Sequence, residues 1–158
     1  MPRYRKILII CHANTSRSVI AEGLLNRMLE ERALSNHLSV ESGGIAAYAR
    51  DGALVSMDAR LVLRDAGIAT PPKRVSTDLK RNRHLIEDAD LILAMTREQV
   101  QMLRDDFPEA DNKEVYTLKE FAGLEGDIED PAGRDEETYA ACRDEIQTCL
   151  ERVVERLV

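Results

Sequence analysis

The chain has 158 residues, 44% of them hydrophobic and 32% charged, the proportions of an ordinary soluble globular domain with enough apolar mass to form a core without disulfide or metal staples. A formal charge of −7, an aromatic content of 4% and no tryptophan exclude the basic, base-stacking footprint of a nucleic-acid module. No apolar stretch approaches the roughly 20 residues of a membrane span, and the basic residues 1–6 lead into an apolar run that stops at Ile10, too short for a secretory leader. The expected location is therefore the cytoplasm. Three cysteines, an odd and sparse count, suit thiol chemistry or core packing in a reducing compartment.

In chain order, Ile7, Leu8, Ile9 and Ile10 form an uninterrupted apolar run, the pattern of a strand buried on both faces of a parallel sheet. From Ser18 the pattern becomes helical, with Ile20, Ala21, Leu24, Leu25, Met28 and Leu29 on one face. Residues 38–42 alternate as a strand and meet Gly43 and Gly44. Ala59, Leu61, Val62, Leu63 and Ala66 predict a second helix closed by Gly67. Residues 69–84 are polar and basic, broken by Pro71 and Pro72. Residues 91–95 predict another buried strand, after which Thr96 and Gln99 stand at capping-box spacing for a helix. Residues 115–118 predict a short strand and residues 123–134 a Gly-rich acidic loop. Tyr139, Cys142, Ile146, Cys149, Val153 and Leu157 then make one apolar stripe of a long last helix. Strands alternating with helices over 1–158, with no repeat or linker, predict a single α/β domain around a parallel sheet.

The chemistry concentrates in Cys11-His12-Ala13-Asn14-Thr15-Ser16-Arg17-Ser18, which begins where a buried strand ends and finishes where a helix starts. Open α/β sheets place their ligands there. Five residues between Cys11 and Arg17 allow a loop whose backbone N–H groups converge, beside a helix N-terminus, on an anion. Arg17 adds a planar fork for two phosphoryl oxygens. The same positive surroundings favour a thiolate at Cys11, with Ser18 offering its hydroxyl to the sulfur. A thiolate beside an anion cradle is equipped to attack phosphorus, with Arg17 and the amides stabilising the equatorial oxygens. An acid must then protonate the leaving group and a base must activate water. Asp130, set before Pro131 in the acidic loop, is the candidate for both, with Asp127 and Glu129 as neighbours.

These residues resemble the low-molecular-weight protein tyrosine phosphatase family. The resemblance extends from the Cys11–Ser18 loop and Ala21-Glu22 through Ser42-Gly43-Gly44, residues 89–96 and 116–120, to residues 127–133 and Tyr139. It implies a three-layer, Rossmann-like fold with a four-stranded parallel sheet flanked by helices, no metal or organic cofactor, and phosphorylated proteins as partners. It also implies hydrolysis through a phosphocysteine on Cys11, with Arg17 holding phosphate and Asp130 as general acid and base. In this pattern the phosphate cradle is His12, Ala13, Asn14, Thr15, Ser16, Arg17 and Ser18. Asn14 fixes the strained loop, with Ser42 as its hydrogen-bond partner. Thr15, where tyrosine-directed members carry a larger aliphatic residue, resembles the bacterial branch that removes phosphate from arginine, as does Leu118-Lys119-Glu120-Phe121. Thr15, Tyr48 and Ala132 are the expected specificity positions.

Four positions depart from the family pattern: Ala13 for glycine, Val19 for proline, Ser16 for a second cysteine and Ala132 for an aromatic. Ala13 would strain the loop if its φ were positive. Without a cysteine at Ser16, a vicinal disulfide cannot shield Cys11 from overoxidation.

Other residues keep blander readings. Cys142 and Cys149 lie on the apolar stripe and are expected to pack. His12 either influences Cys11 and bound phosphate or faces solvent. Tyr48 is either pocket rim or open surface. His37 and His84 have no visible partner, and Lys73, Arg74, Lys80, Arg81 and Arg83 read as a solvated basic face. The competing functions are a thiol-dependent arsenate reductase, a phosphocarrier subunit and a non-catalytic phosphoprotein-binding module. The first needs relay cysteines, and none lies between Cys11 and Cys142. The second has no use for Arg17 with an Asp-Pro loop.

Overall fold

The computed structural model describes residues 3–158; Met1 and Pro2, part of the basic start weighed against a leader segment, lie outside them. Strand β1 spans Lys6–Cys11, β2 Ser39–Gly44, β3 Leu91–Ala94 and β4 Glu114–Thr117. They form one parallel sheet in the order β2-β1-β3-β4. The helices are α1 Arg17–Glu31, α2 Met57–Asp65, α3 His84–Asp88, α4 Arg97–Asp106, α5 Leu118–Phe121 and α6 Glu136–Leu157, with a 3-10 turn at Pro108–Ala110. Among the described residues no helix is long and apolar enough to cross a membrane.

The apolar runs explain the layering. A strand buried on both faces must send alternate side chains to opposite cores. Ile7, Ile9, Cys11, Leu91 and Leu93 face a core shared with α1, α2 and α6. Leu8, Ile10, Ile92 and Ala94 face a second core built with Ile86, Leu103 and Phe107. The result is the expected three-layer sheet with helices on both faces. The chain leaves β1 for β2 on one side and later returns to β3 on the other. The carboxyl end of β1 is therefore the topological switch point, where an open sheet leaves a crevice. Cys11 is the last residue of β1.

Most expected elements stand within a residue or two of their predicted places. Gly67, at φ +85, closes α2 with the two Schellman bonds, Ile68 N–H to Leu63 O at 2.8 Å and Gly67 N–H to Arg64 O at 2.9 Å. Thr96 and Gln99 form the capping box of α4. The strand expected at 115–118 is shifted, because Leu118 belongs to α5. Thr117 caps that helix in a second capping box, its Oγ1 accepting from Glu120 N at 3.0 Å. The short α3 buries only Ile86, too little for a periodic signal. Gly44 shows why β2 ends in glycines: a Cβ there would lie 2.8 Å from backbone atoms of His12 and Ala13. Ile45 N–H and Ala46 N–H then donate to the carbonyls of Cys11 and His12, both at 3.0 Å, so β2 braces the loop that follows β1.

Candidate active site

The loop between β1 and α1 wraps around the Cys11 sulfur. Sγ lies 2.9 Å from Ser18 Oγ and accepts the Asn14 N–H at 3.2 Å. The turn that makes this possible falls on Asn14, at φ +61. Ala13 does not take a positive φ, so the strain considered for it is absent. Asn14 is fully buried and uses its whole amide. Nδ2 donates to Ser18 Oγ and Ser42 Oγ, both at 2.9 Å, and Oδ1 accepts from Thr77 N at 2.9 Å. An asparagine tolerates the left-handed region better than most residues, and these three bonds hold it there. Ser42, the partner that the resemblance implies for Asn14, accepts from its Nδ2.

Arg17 is only 3% exposed although it opens α1. Its Nη1 donates to Ile128 O at 2.6 Å, and its Nη2 lies 3.8 Å from Asp130 Oδ2. Ile128 N–H in turn donates to Met95 O at 2.9 Å, which ties the acidic loop to the end of β3. Asp130 is half exposed, and its Oδ1 accepts from Ala132 N at 3.0 Å, folding the loop back across Pro131. Asp130, the candidate acid, therefore lies beside the guanidinium of Arg17, the candidate phosphate holder. Of its rivals, Asp127 has its Oδ1 accepting from Arg97 N at 3.0 Å, and no hydrogen bond or ion pair joins Glu129's carboxylate to Arg17.

The remaining loop residues divide between buried and open. Ser16 Oγ meets Tyr139 Oη at 3.1 Å, and Thr15 is half-buried with its carbonyl accepting from Ser56 N at 2.9 Å. Tyr48 is 70% exposed in the turn after β2, and Ala132 is exposed beside Asp130. His12 is half-buried against α4, its Nδ1 3.2 Å from Gln99 Nε2 and 3.5 Å from Arg17 Nη2.

The reading of residues 73–83 as a solvated basic face needs correction at Arg74, Lys80 and Arg83. Arg74 Nη2 donates to Ser42 Oγ at 2.9 Å and lies 3.3 Å from Glu22 Oε2, extending the Asn14 network outward. Lys80 pairs with buried Asp78 at 2.9 Å and caps the carbonyls of Ala46 and Ala49. Arg83 pairs with Glu109 and stacks on Phe107. A basic run carries no periodic signal of such partners, so the sequence offered no means of separating these three from Lys73 and Arg81.

Cys142 and Cys149 are buried, as expected for the α6 stripe. Burial pushes the Cys142 thiol up to about 11 despite the nearby Arg17 guanidinium, and burial raises Cys149 as well. Both are neutral packing groups at physiological pH. Cys142 Sγ lies 3.9 Å from Glu129 O, behind the acidic loop.

The strand-end thiol of Cys11, the buried Arg17 and the Asp130 carboxylate thus lie together at the switch point of a doubly wound sheet. The chain belongs to the low molecular weight phosphotyrosine protein phosphatase family, whose model matches residues 6–158. It is 39% identical to a protein-arginine-phosphatase of Geobacillus stearothermophilus over 96% of this chain and 95% of that one. It is 33% identical to the low molecular weight protein-tyrosine-phosphatase PtpB of Staphylococcus haemolyticus over 85% and 86% of the two chains. A solved YwlE arginine phosphatase carrying a phosphorylated active site serine matches with a TM-score of 0.86 at 33% identity, over 96% of this chain and 95% of that one.

Proposed function

We propose that this protein is a cysteine-dependent protein phosphatase that acts on phosphoarginine in preference to phosphotyrosine. The observation that carries the reaction class is the placement of Cys11 Sγ within reach of both Ser18 Oγ and the Asn14 amide, on a loop whose Arg17 faces Asp130 at 3.8 Å. In the first step the Cys11 thiolate forms a bond to phosphorus while the phosphorus–nitrogen bond of phosphoarginine breaks, and the departing guanidine takes a proton from Asp130. The loop amides from His12 to Ser18 and the Arg17 fork hold the equatorial oxygens through the transfer. In the second step the Asp130 carboxylate takes a proton from water as its oxygen attacks phosphorus. The sulfur–phosphorus bond breaks, and phosphate and free thiolate result.

Three features favour the arginine substrate. Thr15 presents a short polar wall in the loop, Ala132 puts no aromatic ring beside Asp130 for a phenyl group to stack on, and the Geobacillus relative is an arginine phosphatase. Tyr48, exposed on the turn whose Ala46 amide donates to His12 O, is the residue proposed for the outer rim. The test is kcat/KM for phosphoarginine and phosphotyrosine peptides side by side, with Cys11→Ser as control. An arginine preference of more than about tenfold that shifts toward tyrosine in Thr15→Ile supports both parts of the reading. A tyrosine preference removes the substrate assignment and leaves the mechanism. Phosphate binding without turnover of either peptide makes the chain a binding module.

A further inference from the structure

His12 places an imidazole in the loop beside Arg17, and its surroundings dictate which nitrogen carries the proton. Gln99 is fully buried, and its Oε1 is committed to two amides, Met95 N at 2.9 Å and Thr96 N at 3.3 Å. An amide oxygen held by two donors leaves Nε2 as the donor toward His12, at 3.2 Å from Nδ1. His12 Nδ1 is therefore an acceptor, and the ring proton sits on Nε2, which faces Glu98 Oε1 at 3.9 Å. The same Nδ1 lies 3.5 Å from Arg17 Nη2, a long and weak contact to the nitrogen that also lies 3.8 Å from Asp130 Oδ2. The guanidinium is thus held at Nη1 by Ile128 O and flanked at Nη2 by Asp130 and His12.

We propose that His12, fixed as the Nε2–H tautomer by Gln99, is a positioning residue that sets the orientation of the Arg17 fork for the phosphoryl group. The inference rests on the reading of Arg17 as the phosphoryl-binding group. Protonation of Nδ1 would turn an acceptor into a donor facing two donors, Gln99 Nε2 and Arg17 Nη2, and would set one cation against another. Glu98, on the Nε2 side, and Asp130, beyond the guanidinium, are the charged groups that offset this; Cys11 lies across the loop. The arrangement therefore holds Arg17 best with a neutral ring.

Two measurements that need no turnover test this. The first is the ¹⁵N shift of the His12 ring at neutral pH, assigned among three histidines by its loss in His12→Asn. An unprotonated Nδ1 is expected, and an Nδ1–H tautomer overturns the proposal. The second is the affinity for inorganic phosphate. His12→Ala should weaken it about threefold to tenfold, the range of one modest hydrogen bond. His12→Asn, whose Oδ1 stands near the place of Nδ1, should recover most of the loss, whereas His12→Gln should not. Equal affinity across the variants overturns the proposal. A wild-type protein that shows this tautomer and these affinities but hydrolyses neither peptide would instead remove the proposed function.

Discussion

Asn14 is where the loop's geometry is most exposed to a single change. Its side chain makes three buried hydrogen bonds, to Ser18, Ser42 and the Thr77 amide, and its backbone sits at φ +61. Asn14→Gly removes the three bonds and keeps the turn accessible. At about 0.5–1.5 kcal/mol net per bond, the loop loses roughly 1.5–4.5 kcal/mol of order. At about 1.4 kcal/mol per factor of ten, kcat/KM on an aryl phosphate should fall between roughly tenfold and a thousandfold. Asn14→Ala loses the same bonds and adds about 1–2 kcal/mol for a Cβ in the left-handed region, so it should be about tenfold worse than the glycine variant. Ser42→Ala breaks one of the Asn14 bonds and the Arg74 bond, about 1–3 kcal/mol together, and should cost roughly fivefold to a hundredfold. The assay is steady-state kinetics with phosphate affinity measured in parallel, and a thermal melt shows whether each variant is folded. A folded Asn14→Gly within twofold of wild type in both quantities would refute the claim that this network holds the loop. An Asn14→Ala equal to Asn14→Gly would leave the network claim standing and refute the strain assigned to the positive φ.

Other expectations are independent of that network. Ala33 closes α1 at φ +56, with Leu34 N–H donating to Leu29 O at 2.8 Å, a position that favours glycine. Ala33→Gly should stabilise the fold by about 1 kcal/mol and raise Tm by about 2–4 °C, read by differential scanning calorimetry. Because burial lifts Cys142 to about 11 and raises Cys149, iodoacetate at neutral pH should modify one thiol per native chain, and none in Cys11→Ser, as counted by mass spectrometry. With Ser16 beside the loop in place of a cysteine, peroxide should carry Cys11 to the sulfinic acid, and dithiothreitol should fail to restore activity.

What could be read in the sequence follows from the range of the interactions involved. The run 7–10, the α6 stripe, the Thr96 capping box and the Gly67 stop are local patterns, and each element is where its pattern places it. The Cys11–Ser18 loop is local too, so its anion-cradle reading needed only the strand before it and the helix after it. What escaped was long-range. Arg74 reaches Ser42 across 32 residues, Gln99 reaches His12 across 87, and Ile128 O reaches Arg17 across 111. Nothing in the spacing of Arg74 among Lys73, Lys80 and Arg81 distinguishes a buried bridge from a solvated cation. Gln99 was visible only as a cap, because a capping box uses its oxygen and leaves the other end of the amide unassigned.

The Arg17–Ile128 bond bears on how the site operates. Arg17 Nη1 donates to the backbone of the loop that carries Asp130, two residues before the carboxylate. The group proposed to hold phosphate therefore also helps to place the proposed acid, alongside the Ile128 amide on Met95 O, Asp127 on the Arg97 amide and Cys142 Sγ near Glu129 O. A change at Arg17 should consequently act twice. It should weaken phosphate binding, and it should loosen Asp130 even where phosphate is held by the loop amides alone. Arg17→Lys preserves the charge but cannot reach Ile128 O and two phosphoryl oxygens at once with a single ammonium. It should therefore lower kcat on top of raising KM, and the deficit should be larger for substrates whose leaving group needs a proton than for an activated aryl phosphate. An Arg17→Lys variant with raised KM and wild-type kcat on both kinds of substrate would separate the two roles and confine Arg17 to binding.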